Sequence, residues 1–266
     1  MKYIILLVAL VMIGWSSGKK KDFDIKAAQK NLVKVKENLY ASKTEVSNFQ
    51  YVSFLNYLKQ TNQTEKYNSA KIDSTKWREG MSHNEPYVTY YHSHPAYREY
   101  PVVNISYEGA TLFCQWLTDT YNKSENRKFK KVLFRLPKEE EWVSAAKGGN
   151  PAAIYPWEGN DLRNKKGTPR CNFIRDKDDT MGTASIQNDG AEITALVVCY
   201  EPNKFGLYNM SGNVAEMLLE KGKTKGGSWL DTEEAMKIDG TGKFSTYDSP
   251  SPTIGFRYFM EIIESN

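Results

Sequence analysis

At 266 residues the chain suits one large domain or two small ones, and it is long enough to bury a core without a metal or disulfide. Its 36 basic and 32 acidic residues leave a formal charge of +4, spread along the chain, and no Lys/Arg tract is interleaved with aromatics, so nucleic-acid binding finds no support. Tyrosine is the commonest aromatic, and many tyrosines lie in Gly/Asn/Pro-rich stretches, which fits rings packed among irregular loops.

The N-terminus reads as an export signal over residues 1–18. Lys2 supplies a positive start, residues 3–14 an apolar run short for a bilayer span, and Ser16, Ser17 and Gly18 the small residues before three lysines. No Cys lies there to carry a lipid, and an uncleaved anchor is the alternative. No later segment is apolar enough to form a transmembrane segment. The expected product is a soluble chain outside the cytoplasm, in the periplasm or at the cell surface.

Residues 19–39 carry Ile25, Ala28, Leu32, Val35 and Leu39 at helical spacing, which predicts a lead-in helix or linker ahead of a domain over 40–266. Ser47 is placed to cap a helix bearing Tyr51, Phe54, Leu55 and Leu58 on one face. Residues 62–100 lack clear periodicity and hold His83, His92 and His94. The spacing of His92 and His94 suits one side of a strand, but no carboxylate is regularly spaced with them, so loop histidines are expected rather than metal ligands. Residues 100–105 read as a short buried strand. Ser106 then caps a helix through Ala110, Phe113, Trp116 and Leu117, with Cys114 as a buried thiol. Three glutamates after Pro137 suit a helix start, and Gly148 and Gly149 its end. Residues 159–189 are polar and loop-like, and strands are expected within 192–200 and over 254–263. Cys171 and Cys199 sit in loop-like sequence and are a candidate disulfide, worth about 3–4 kcal/mol in the chain-entropy model. Few helices, short strands and long loops together describe an irregular α+β domain.

One ordered set of motifs goes further. Asn203-Lys-Phe-Gly-Leu-Tyr-Asn-Met-Ser-Gly-Asn-Val-Ala-Glu216 precedes Gly226-Gly-Ser-Trp229 and Gly255-Phe-Arg257. Upstream stand Glu45-Val-Ser-Asn48, Arg135-Leu-Pro137 leading to Trp142, and Tyr155-Pro-Trp157. In this order the set resembles the formylglycine-generating enzyme family, the sulfatase-modifying-factor domain, over roughly residues 40–260. The resemblance implies a loop-rich C-type-lectin-like fold. It also implies a structural calcium ion held by Asn209, Gly212, Val214 and Glu216, a set of hard oxygen donors of the kind calcium takes. A second calcium site would fall on Asn172, Phe173 and Asp179.

The resemblance also locates the chemistry. Catalytic members carry two cysteines, two and seven residues beyond the aromatic that matches Trp229, and their thiolates hold copper(I). Here those positions are Asp231 and Met236, and Lys225 replaces the usual Arg before Gly226. A carboxylate and a thioether are a poor pair for a soft ion. No copper and no catalytic residue are therefore expected. A sulfoxide-forming branch with non-heme iron needs a His-x-x-x-His-x-Glu motif, which is absent. The implied function is an exported, non-catalytic binding or envelope-assembly module with an unknown envelope protein or glycan as partner. Similar degenerate domains occur in gliding-motility and type IX secretion lipoproteins. Two alternatives stay open: a metal-dependent oxidoreductase with an altered active site, and a calcium-dependent glycan-binding lectin-like protein.

Overall fold

The computed structural model describes residues 25–79, 84–174 and 193–265. The expected signal at 1–18, His83 and Asp179 lie outside them.

The lead-in is not one helix. Helix α1 (Ile25–Lys30) stops at Asn31, and strand β1 (Leu32–Lys36) follows. Within β1, Val33 and Val35 alternate with Lys34 and Lys36, and period two wins over the helical spacing because β2 (Leu39–Ser42) is there to pair with it. The two strands join through Glu37 and Asn38, the latter at φ 60°, a conformation Asn tolerates. The boundary drawn at residue 40 therefore runs through a hairpin.

Ser47 caps α2 (Asn48–Gln60) through a capping box with Gln50, and α2 buries Tyr51, Phe54, Leu55 and Leu58. Next come the short helices α3 (Thr64–Ala70) and α4 (Glu85–Tyr90). Residues 101–105 are buried as expected and Tyr100 is partly so, but they form only an isolated bridge from Pro101 to Ser47, and Asn104 at φ 60° breaks the extended run. Ser106 caps α5 (Tyr107–Lys123), which buries Ala110, Phe113, Cys114 and Leu117. Gly109 lets α5 approach α2, since a Cβ there would fall 2.3 Å from the Tyr51 hydroxyl.

Strand β3 (Lys131–Arg135) leads into α6 (Glu139–Ala146), whose first turn carries the three glutamates. The apolar stretch at 193–200 forms no strand. Ala195 and Val197 are buried while Leu196 and Val198 are exposed, in a chain that turns rather than pairs. Strands β4 (Ala215–Met217) and β5 (Thr224–Lys225) follow. The closing apolar run is two strands, β6 (Ile254–Gly255) and β7 (Phe259–Glu264), and they belong to different sheets.

One sheet is antiparallel in the order β1-β2-β7-β3, and a second has the order β5-β4-β6, with β4 parallel to β6. The largest apolar cluster joins α2 and α5 to β3, β4 and β7 through Phe54, Phe113, Phe134, Met217 and Met260. Trp142 of α6 anchors a second cluster, with Leu207, Met210 and Phe259. The result is a loop-rich α+β fold in which the long, largely irregular segment from 193 to 258 carries only the short strands β4, β5 and β6 and one 3-10 turn.

Candidate functional site

That irregular segment is shaped by residues suited to left-handed backbone. Asn209, Gly212, Asn213, Gly226 and Gly227 all have φ between 51° and 96°. At Gly212 the requirement is doubled, because a Cβ would fall 2.2 Å from the carbonyl oxygen of Asn172. The same carbonyl accepts from the Asn213 amide at 2.8 Å.

Strand β4 turns Glu216 inward, where it is 1% exposed. Its Oε2 accepts from Arg257 Nε at 2.6 Å and from Trp142 Nε1 at 2.7 Å, and its Oε1 accepts from Arg257 Nη2 at 2.6 Å. Arg257 is fully buried and donates also to the carbonyls of Ser42, Lys43 and Tyr208. Two N–H groups matched to two carboxylate oxygens make a strong, planar pair.

A second buried carboxyl stands close by. Glu45 accepts from Asn213 Nδ2 at 2.8 Å and from Asn209 Nδ2 at 3.1 Å. Burial pushes its carboxyl up to about 8, with Arg257 opposing the shift and Glu216 adding to it. The interior thus holds two carboxyls near one guanidinium. The Asn209 Oδ1 is buried and has no hydrogen-bond partner.

These features fit a hard cation at the expected calcium position. Asn209 has an uncommitted carboxamide oxygen. A carboxylate has about four acceptor positions; Trp142 and Arg257 fill three of those on Glu216, leaving one on Oε1. Gly212 and Val214 would contribute main-chain carbonyls. Among the described residues, no three His, Cys, Asp or Glu side chains cluster as a metal site, so any ion here would rest on amide and carbonyl oxygens beside one ligating carboxylate.

Asn172 is brought beside this loop, but its Nδ2 donates to the Ile193 carbonyl at 2.7 Å and its main-chain oxygen is taken by Asn213. Phe173 packs into an apolar cluster with Cys171, Tyr155 and Met236.

The two positions that hold copper in catalytic members are filled and closed. Asp231 is 3% exposed; its Oδ2 accepts from the Ser228 amide and hydroxyl, and its Oδ1 from the Lys243 amide. Met236 is fully buried, with its methyl group over Gly227. Asp231 therefore ties up a turn, and the thioether fills core.

The proposed Cys171–Cys199 bond is not formed. Cys171 is buried in the apolar cluster around Phe173, whereas Cys199 is exposed on the surface, so the two side chains serve opposite environments. Cys114 is buried in α5, and desolvation raises its thiol far above the usual range. His92 pairs with Asn48 Oδ1 at 2.9 Å, and His94 Nδ1 accepts from the Ala96 amide at 3.2 Å, so both act in loop hydrogen bonding.

Glu45, Trp142 and Arg257 are the members of this site that sequence reasoning missed as functional. Each stands inside a quoted motif, but their partners are 41 to 215 residues away. Local spacing carries no signal for such pairs.

A lectin-like α+β fold whose buried Glu–Arg–Trp cluster sits beneath an Asn/Gly loop defines the class. The family profile described as "Sulfatase-modifying factor enzyme 1-like domain" matches residues 12–262, and the chain belongs to that family. It is 35% identical over 144 residues to the formylglycine-generating enzyme of Thermomonospora curvata, covering 54% of this chain and 40% of that protein. It is 31% identical over 172 residues to the inactive C-alpha-formylglycine-generating enzyme 2 of Bos taurus, covering 60% of this chain and 50% of that protein. The chain thus spans about half, or less, of the length of these curated relatives. Among solved structures, CarF shares the fold at a TM-score of 0.51 and 22% identity, over 84% of this chain and 86% of its own. Treponema denticola variable protein 1 does so at 0.53 and 17%, over 84% of each chain.

Proposed function

We propose that this chain is an exported, non-catalytic sulfatase-modifying-factor domain that serves as a binding or assembly module in the cell envelope. The observation that carries the reading is the state of Asp231 and Met236. One is consumed by three hydrogen bonds to its own turn and the next loop, and the other is buried in an apolar cluster. Neither offers a thiolate, and neither is free to move onto an ion without breaking local structure. The likeness to the inactive C-alpha-formylglycine-generating enzyme 2 of Bos taurus supports the same reading. The envelope setting rests on the export signal expected at 1–18, and a role in gliding motility or type IX secretion is the specific form proposed.

Calcium is the proposed structural ion, at Asn209, Gly212, Val214 and Glu216. A lectin-like use of that ion, with a glycan completing its coordination, needs an exposed ion with open positions. Asn209 is 6% exposed and Glu216 is 1% exposed, which favours an ion that fixes loops over one that meets a ligand.

The catalytic question has a direct test. The full chain is incubated with copper(I), oxygen, a reductant and a Cys-x-Pro-x-Arg peptide, and the peptide is followed by mass spectrometry. The expected result is unchanged peptide. Copper-dependent conversion of the cysteine to an aldehyde would overturn the non-catalytic reading.

A further inference from the structure

Asn209 has one planar carboxamide and two ends to place. Its Nδ2 donates to Glu45 Oε2 at 3.1 Å and to the Leu196 carbonyl at 3.2 Å. With Glu45 Oε2 and the Leu196 carbonyl both accepting, the flipped amide would set an oxygen against two oxygens. The Oδ1 is thereby turned to the other side, where it is buried and unpartnered. A buried carbonyl oxygen left without a donor is costly, and native structures rarely keep one without a reason.

Asn213 makes the contrast. Its Nδ2 also donates to Glu45, at 2.8 Å, but its own Oδ1 accepts from the Ala195 amide at 2.7 Å. One carboxyl group holds both asparagines, yet only Asn209 is left with an oxygen to offer. Glu45 itself is fully buried, and among the described residues it forms no direct ion pair, since the Arg257 salt bridge goes to Glu216. Burying an acid for two neutral amide hydrogen bonds is expensive if the only return is packing.

We infer that Glu45 is a positioning residue for the cation site: its carboxyl group clamps the Asn209 amide so that Oδ1 faces a bound calcium ion. This rests on the calcium reading above. Glu45 touches the ion only through Asn209, as outer-shell partners of metal ligands commonly do.

The test is calorimetric titration of the full chain with calcium chloride, paired with thermal melts in chelator. In Glu45→Gln, the side-chain amide gives Asn209 Oδ1 a donor to turn towards, so the oxygen is lost to the ion. Calcium affinity is expected to fall about 10- to 100-fold, while the melting temperature in chelator stays at or above that of wild type. Glu45→Asp keeps the carboxyl group but withdraws it from Nδ2, and it too is expected to bind weakly. Wild-type affinity in either variant would overturn the inference, the second by showing that the reach of the carboxyl group to Asn209 does not matter. An equal loss of melting temperature with and without calcium would overturn it in favour of a purely structural role. A wild-type chain that neither takes up calcium nor melts higher with it would overturn the calcium reading, and this inference with it.

Discussion

Glu216 shows how a single side chain changes the experiment. On sequence alone it is a calcium ligand whose charge Glu216→Gln would remove. In the structure the same carboxylate neutralises a fully buried guanidinium through two hydrogen bonds of 2.6 Å. Removing one partner of a buried pair costs about 3–5 kcal/mol because the other charge is stranded. Glu216→Gln is therefore expected to lower stability even in chelator, on top of any weakening of the calcium response, so a loss of stability in this variant does not by itself report on the ion. Asn209→Gly is the discriminating change. Glycine accepts the φ of 51° without strain, and the Glu216–Arg257 pair stays intact. Two amide hydrogen bonds are lost, so stability in chelator is expected to drop by about 1–2 kcal/mol. The calcium increment, about 2.7 kcal/mol at a hundredfold excess over Kd, is expected to vanish. Denaturant titrations with and without chelator measure both. If Asn209→Gly keeps the full calcium increment, Asn209 is not a ligand.

Between elements, the tie that joins the end of α4 to the start of α2 has its own pH signature. Asn48 Nδ2 donates to the carbonyls of Tyr91 and Tyr97, which leaves Asn48 Oδ1 to accept from His92. The network therefore assigns the proton to Nδ1, and Nε2 is enclosed without a partner. The residue as a whole is half-buried, but the atom that would take the second proton is enclosed. Burial pushes the imidazole down to about 3. As pH falls, the unfolded chain takes up this proton near its ordinary 6.5 while the folded chain resists, so stability is complete above 6.5 and drains away towards 3. Free energies of unfolding are expected to fall between pH 7 and pH 4, by up to about 3 kcal/mol from this group. His92→Asn keeps a donor for Asn48 and cannot titrate, so its slope should be flatter. Identical slopes in the two proteins would show that carboxylates alone set the acid limb. The sequence places His92 in a loop but gives no hint of this role, because its partner lies 44 residues away.

For the molecule as a whole, what was legible and what was not divide by range. Helices α2, α5 and α6 follow from caps and apolar faces within a few residues, and the ordered motifs point to the family fold. The strand expected within 192–200, the unbroken strand at 254–263 and the helix expected through Leu32 to Leu39 all fail for one reason. Apolar runs of five to ten residues do not state their partners, and the partner decides between strand, turn and helix. The lead-in is the case with the largest consequence. Residues 32–36 pair with β2, Asn31 accepts from the Lys43 amide at 2.7 Å, and Ala28 is fully buried in the main cluster. A chain beginning at residue 40 would lose α1 and β1 and expose one edge of β2, whose other edge is paired with β7. Compared with a chain beginning at residue 19, it is expected to unfold at lower denaturant and to self-associate as concentration rises, through the newly opened edge. Equilibrium unfolding and sedimentation velocity on the two chains read these effects separately. Equal midpoints would mean that the lead-in is an appendage and that the domain does begin near residue 40; a lowered midpoint with a strictly monomeric short chain would keep the hairpin as structure but remove edge pairing as its hazard.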